Sequence, residues 1–123
     1  MCGIAGYINF NNKIDNSFKI QSIIKSIKHR GPDNTGYWLS KQKNVILVNT
    51  RLAIQDLSKK GNQPLVSQDG RYVIVFNGEI YNFKILTEKL AEFKFQSNSD
   101  TEVLLNMYIK YNYKCLDYLD GMF

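Results

Sequence analysis

Cysteine at position 2 stands directly after the initiator Met1, and that placement carries the first chemical suggestion in this chain. A small second residue permits removal of Met1, which leaves Cys2 with a free α-amino group beside its thiol. In model peptides an α-amino group titrates at about 7.7–8.0, so a useful fraction is neutral near neutral pH and accepts a proton. A thiol with a base within hydrogen-bond reach is an activated nucleophile, and the chain's own terminus supplies the base that other enzymes take from a histidine. On position alone, an incidental small residue at a terminus is the commoner explanation. The single histidine, His29, is the competing base candidate, but it lies in the run His29-Arg30-Gly31-Pro32-Asp33, which reads as a structural turn. The second cysteine, Cys115, sits in an apolar, Tyr-rich segment and reads as a buried small hydrophobe.

The elements that must position such a nucleophile are readable from periodicity. Cys2 to Phe10 reads as a strand. Apolar residues at Phe18, Ile20, Ile23, Ile24 and Ile27 give the three-and-four spacing of an amphipathic helix over Ser17–His29, closed by Gly31-Pro32. Strands are predicted at about Thr35–Leu39 and Val45–Thr50, and a polar loop at Ser58–Asn62. The Asp69-Gly70 turn leads into a strand at Arg71–Phe76. Helices are predicted over Phe83–Phe93 and from about Asp100 to Tyr111. Ser99 is placed to cap the latter, with Glu102 reaching back to complete a capping box. Strands in succession without regular strand–helix alternation favour an antiparallel α+β fold. Asp120-Gly121-Met122-Phe123 looks like a turn entering a further strand, so the domain is expected to be incomplete.

Composition bounds the remaining possibilities. With 44% apolar and 13% aromatic residues among 123, the chain can build one packed core, or part of one. Its net charge of +5 comes from scattered lysines (Lys13, Lys25, Lys41, Lys59, Lys60, Lys84, Lys110) with no basic block, which argues against nucleic acid. No apolar run is long enough to span a bilayer and no signal-peptide layout is present, so no membrane partner and a cytoplasmic location are expected. One His and two distant Cys give no metal-ligand spacing, so no metal is expected. Two cysteines in such a chain read as free thiols.

Short blocks then recur in a recognisable order. Cys2-Gly3-Ile4-Ala5-Gly6 is followed by His29-Arg30-Gly31-Pro32-Asp33 and by Arg51-Leu52-Ala53-Ile54 ahead of Asp56-Leu57-Ser58. Asn77-Gly78-Glu79-Ile80-Tyr81-Asn82 and Ser99-Asp100-Thr101-Glu102 complete the series. This series resembles the class II glutamine amidotransferase domain of glutamine-hydrolysing asparagine synthetases, and covers residues 2 to 102. Departures are Asn49-Thr50 and Asn62, where the family often has histidine, and Gln55, where an apolar residue is usual.

The resemblance implies an N-terminal-nucleophile hydrolase fold, a four-layer αββα sandwich of antiparallel sheets, of which residues 1–123 form the larger, N-terminal part. It implies Cys2 as nucleophile, with the Asn77 side chain and the Gly78 N–H forming an oxyanion hole. Glutamine would be bound by Arg51 at its α-carboxylate and by Asp100 at its α-ammonium with Glu79 nearby, and Leu52, Ile54, Asn77 and Gly78 would line the site. On residues alone, Asn77-Gly78 also fits a hairpin turn, Asp100 a helix-start charge, and Arg51 a surface ion pair. The implied reaction is hydrolysis of glutamine to glutamate and ammonia through a cysteinyl thioester, with ammonia passed to a synthetase domain or subunit that makes asparagine from aspartate. No cofactor is implied in this domain; ATP and Mg belong to the synthetase domain, which is absent from these residues. An inactive glutamine-binding fragment, or half of an enzyme amidating a cell-surface sugar, are the alternatives. Apolar strand edges left by the missing late strands lead us to expect self-association or poor stability.

Overall fold

A computed structural model describes residues 2–11, 16–54 and 56–123, with the side chains of 16–18 outside that description. Expectations placed on Met1, Lys13, Gln55 and the Ser17 and Phe18 side chains therefore lie outside the described residues. The chain divides into two compact units.

The first unit contains 1–53 with 62–64 and 75–77. Strand β1 (Gly3–Ile8), helix α1 (Asn16–Ile27), strand β2 (Asn34–Leu39) and strand β3 (Val45–Arg51) make it up. The sheet order is β1-β3-β2, both pairings antiparallel, with Gly3 opposite Thr50 and Asn34 opposite Arg51. Strand alternation sends Ile46 and Val48 to one face of β3. There they pack with Ile20 of α1, joined by Ile23, Ile24, Ile27, Tyr7 and Leu39. The β2–β3 register is set by the Ser40 hydroxyl, which accepts from the N–H groups of Asn44 (3.1 Å) and Val45 (3.0 Å). Beyond α1 a 3-10 turn, Lys28–Arg30, brings Gly31 against the main chain of β3. A Cβ at Gly31 would lie 2.6 Å from the Arg51 carbonyl carbon and closer still to Thr50, so only glycine lets the turn seat here.

The second unit contains 54–61, 65–74 and 78–123. It holds strands β4 (Leu65–Val66), β5 (Val73–Ile74), β6 (Glu79–Ile80) and β7 (Gly121–Met122), with helices α2 (Phe83–Glu88) and α3 (Asp100–Tyr111). β4 pairs with β5 and β6 with β7, again antiparallel. Ile80, Leu86, Leu90, Val103, Leu105, Met107 and Cys115 are its buried apolar residues.

The architecture is mixed helix and sheet, compatible with the antiparallel α+β expectation, and the expected terminal strand is β7. Two elements are shorter than periodicity suggested: the strand of Arg71–Phe76 pairs only at Val73–Ile74, and the helix from Phe83 stops at Glu88. Past Glu88 the chain continues in single turns through Lys89 to Leu86 and Phe93 to Leu90. These bury Leu90 without a continuous helix, so apolar spacing alone overstated its length. The capping box is half formed. Ser99 accepts from Glu102 N at 3.3 Å, but the Glu102 carboxylate turns to Gln96 N (2.9 Å), Ser97 N (2.7 Å) and Ser97 Oγ (2.6 Å). Three donors from the preceding loop outcompete the single N–H of the cap residue.

Candidate active site

Cys2 lies one residue before β1, which is pinned along its full length to β3. The thiol consequently sits against the chain just beyond β3. Leu52 N–H points to Sγ at 3.4 Å, and Sγ lies 3.7 Å from the Leu52 carbonyl oxygen. The Cys2 carbonyl accepts from Arg30 Nε at 3.1 Å. Asp33 secures the opposite side of the same corner: its N–H donates to the Arg51 carbonyl (3.0 Å), and its Oδ2 accepts from Ala53 N (2.8 Å). Arg30 and Asp33 thus act on Cys2 and on the Arg51–Ala53 segment. Sequence reading placed both only in a turn block; their charge inside a Gly-Pro turn was the available signal.

Arg51 ends β3 and is buried, 7% exposed, which removes the surface ion-pair alternative. Because Ile46 and Val48 face α1 and Thr50 Oγ1 donates to Ile27 O (2.9 Å), alternation puts Asn49 and Arg51 on the other face. There Arg51 Nη1 donates to Asn62 Oδ1 at 2.8 Å, and Asn49 Nδ2 to Gln63 Oε1 at 3.4 Å. Gln63 Oε1 also accepts from Phe76 N at 2.6 Å, the residue before Asn77. Asn77-Gly78 is not a hairpin turn. The strands that flank it, β5 and β6, pair with different partners, and neither residue has positive φ.

In the second unit, Asp100 begins α3 and is 8% exposed. Its Oδ2 accepts from Ile80 N at 3.0 Å, which ties α3 to the segment carrying Glu79. Burial pushes the Asp100 carboxyl above its ordinary value, the Glu79 charge pushes it the same way, and the Ile80 and Thr101 hydrogen bonds oppose both. A buried carboxylate with a second carboxylate beside it is a setting that a cation would relieve. Asp56, which the sequence marked only as part of a block, accepts from Ser58 N (2.8 Å) and Asn98 N (3.2 Å), so it steadies the loop that precedes Ser99 and Asp100.

The residues singled out from sequence therefore fall into two groups. Cys2, Arg51, Leu52 and Asn77 belong to the first unit, with the thiol touching Leu52 beside Arg51; Ile54, Gly78, Glu79 and Asp100 belong to the second, with Glu79 beside Asp100. Ile54 is 65% exposed. His29 is exposed on the 3-10 turn. Cys115 is 2% exposed, and burial pushes its thiol up, which favours the protonated, less nucleophilic form. Among the described residues no helix is long and apolar enough to cross a membrane, and no cluster of three or more His, Cys, Asp or Glu could hold a metal.

Comparison with known proteins matches residues 1–123 to the profile of the glutamine amidotransferase domain. Asparagine synthetase [glutamine-hydrolyzing] 1 of Saccharomyces cerevisiae is 39% identical over 123 residues, covering 100% of this chain and 21% of that protein. Asparagine synthetase [glutamine-hydrolyzing] 2 of Arabidopsis thaliana is 40% identical over 127 residues, again 100% and 21%. Asparagine synthetase [glutamine-hydrolyzing] 3 of Bacillus subtilis is 34% identical over 128 residues, 100% and 20%. The chain spans about a fifth of the length of these relatives. With the match running over every residue, the chain belongs to the glutamine amidotransferase domain family.

Proposed function

We propose that this chain is the glutamine-hydrolysing part of an asparagine synthetase, with Cys2 as its nucleophile. The observation that carries the reading is the Cys2 thiol held 3.4 Å from Leu52 N, next to the buried Arg51, in a chain of this family. After removal of Met1, the α-amine takes the thiol proton and the thiolate attacks the side-chain amide carbon of glutamine. The resulting oxyanion is held by the Asn77 carboxamide and the Gly78 N–H. Collapse of the tetrahedral adduct returns the proton to the leaving nitrogen, releasing ammonia and a γ-glutamyl thioester. Water, deprotonated by the same amine, then cleaves the thioester to glutamate and frees the thiol.

Arg51 binds the α-carboxylate of glutamine as a planar fork. Asp100, with Glu79, binds the α-ammonium, and Leu52 and Ile54 border the substrate. The ammonia is delivered to a synthetase domain or subunit that uses ATP and Mg to make asparagine from aspartate; this domain itself uses no cofactor. In this reading residues 1–123 are part of an N-terminal-nucleophile αββα sandwich. The outward side of β1, where Ile4 and Ile8 are 44% and 53% exposed, is then covered by more of that sandwich or by self-association.

The test is glutamine hydrolysis by the chain, with glutamate and ammonia expected in equal amounts, combined with the pH dependence of binding. A raised Asp100 pKa means that this group takes up a proton before an ordinary carboxylate as pH falls. It therefore loses its hold on the α-ammonium, and the glutamine dissociation constant is expected to rise as pH falls through that raised value. The stability linkage has the opposite sign. The folded state binds the proton more tightly than the unfolded chain, so Asp100 favours folding increasingly as pH falls through the same range. Titration of glutamine into a Cys2→Ser variant reads binding without turnover, and Asp100→Asn should bind weakly with no rise at acid pH. An Asp100→Asn protein with parental affinity and the same acid limb would remove Asp100 from the ammonium site.

A further inference from the structure

Asn62 and Gln63 adjoin each other in a loop, yet each reaches a different part of the proposed site. Asn62 Oδ1 accepts from Arg51 Nη1 at 2.8 Å. Gln63 Oε1 accepts from Phe76 N at 2.6 Å and from Asn49 Nδ2 at 3.4 Å, and Gln63 is only 8% exposed. The loop is fixed from beneath: a Cβ at Gly36 of β2 would run into the Gln63 carbonyl oxygen and lie 3.1 Å from Pro64 Cδ, so the bare glycine lets this main chain rest on the sheet. Asn49, Arg51, Gln63, Phe76 and Asn77 all belong to the first unit.

We infer that the Asn62-Gln63 dipeptide is a positioning element with two separable outputs, Asn62 orienting the Arg51 guanidinium and Gln63 fixing the main chain that carries Asn77. The inference rests on the glutaminase reading above, in which Arg51 holds the α-carboxylate and Asn77 the oxyanion.

Arg51 can grip a carboxylate through two parallel N–H donors only if its plane is set beforehand, and one of its nitrogens is committed to Asn62. Asn77 can stabilise an oxyanion only if its carboxamide already stands where the charge develops, and the N–H of the residue before it is tied to Gln63. A carboxamide oxygen collecting two donors is a stiff anchor, since withdrawing it leaves the part-buried Phe76 N–H without that partner. Asn62 acts in the ground state and the transition state alike, and so governs binding. Gln63 acts through the oxyanion donor, and so governs rate.

The experiment is inactivation of the full chain by a chloroketone analogue of glutamine, whose carbonyl occupies the place of the amide carbonyl, with the maximal rate and the half-saturating concentration measured separately. Asn62→Ala should raise the half-saturating concentration about 10-fold, the scale of one hydrogen bond to a charged group, with the maximal rate within about 2-fold. Gln63→Met, which keeps the length and removes the acceptor, should lower the maximal rate at least about 10-fold, short of the ~10²–10³ of losing the donor itself, with saturation little changed. Gln63→Glu keeps an acceptor for Phe76 N and should recover most of that rate. A general loss of structure would move both constants together and would not be relieved by Gln63→Glu. If both variants keep parental constants, or both constants shift together in each, the inference fails while the glutaminase reading stands. If the parent chain shows no saturable inactivation although Cys2 reacts with iodoacetamide, the glutaminase reading fails and takes the inference with it.

Discussion

Cys2→Ser is expected to abolish ammonia release from glutamine, by about 10⁴-fold or more, while leaving glutamine binding within a few-fold of the parent. The magnitude is that of removing the nucleophile from an enzyme whose remaining groups act only through it. Serine is close in size and offers a hydroxyl in place of the thiol facing the Leu52 main chain, and the clamp from Arg30 on the residue-2 carbonyl does not involve the side chain. What is lost is a side chain that the neighbouring amine can deprotonate. Cys115 offers no substitute, because it is buried and its thiol is pushed up by that burial. Ammonia and glutamate assays on the two proteins at saturating glutamine decide the matter. A Cys2→Ser protein as fast as the parent would remove Cys2 from the chemistry altogether.

Arg51→Ala is expected to raise the glutamine concentration needed for half-maximal hydrolysis by about 10²–10³, with a smaller effect on the maximal rate. The range follows from truncating one partner of a buried, hydrogen-bonded charge pair, which costs roughly 2–5 kcal/mol. Arg51 is buried with its Nη1 on Asn62, so the guanidinium is held before substrate arrives and little ordering is left to do. Arg51→Lys should recover only part of the loss, since an ammonium cannot reproduce the two parallel donors of a guanidinium. Steady-state kinetics over a wide glutamine range checks both variants. Parental half-saturation in Arg51→Ala would assign the α-carboxylate to another group.

Much of the frame was legible from periodicity because the β-branched and aromatic runs at Thr35–Leu39 and Val45–Thr50 are long and cleanly bounded. The central sheet and α1 follow from them. The Ser99 cap was legible for the same reason, a polar acceptor just ahead of a helical pattern. What was not legible is the work of single long-range hydrogen bonds. Nothing local in Glu102 shows that three donors of the 96–97 loop will claim its carboxylate. Nothing near Gln63 shows that its oxygen will meet Phe76.

The candidate site follows the same division. Residue types and order were enough to single out Cys2, Arg51, Asn77 and Asp100. Of the groups that hold them, Arg30, Asp33, Asp56 and Gln63 act on main-chain atoms far away in sequence, while Asn62 acts on the Arg51 side chain. A main-chain N–H or carbonyl is the same at every residue, so such contacts leave no mark in the type of the residue they touch. Asn77-Gly78 is the instructive exception. Its local chemistry pointed to a hairpin, and only the separate pairing of β5 with β4 and of β6 with β7 shows that the dipeptide turns no hairpin.

Whether Cys2 is the activated N-terminal nucleophile of a formed glutamine site, as proposed above, can be read from its reaction with a glutamine analogue. The intact mass of the purified chain is recorded before and after exposure to the chloroketone analogue, with peptide mapping of any adduct and excess glutamine as competitor. A protein that has lost Met1 and carries a single adduct, on Cys2, whose formation glutamine suppresses, is expected. A chain lacking Met1 that gains no adduct at Cys2, or gains one that glutamine leaves unaffected, would contradict that role for Cys2.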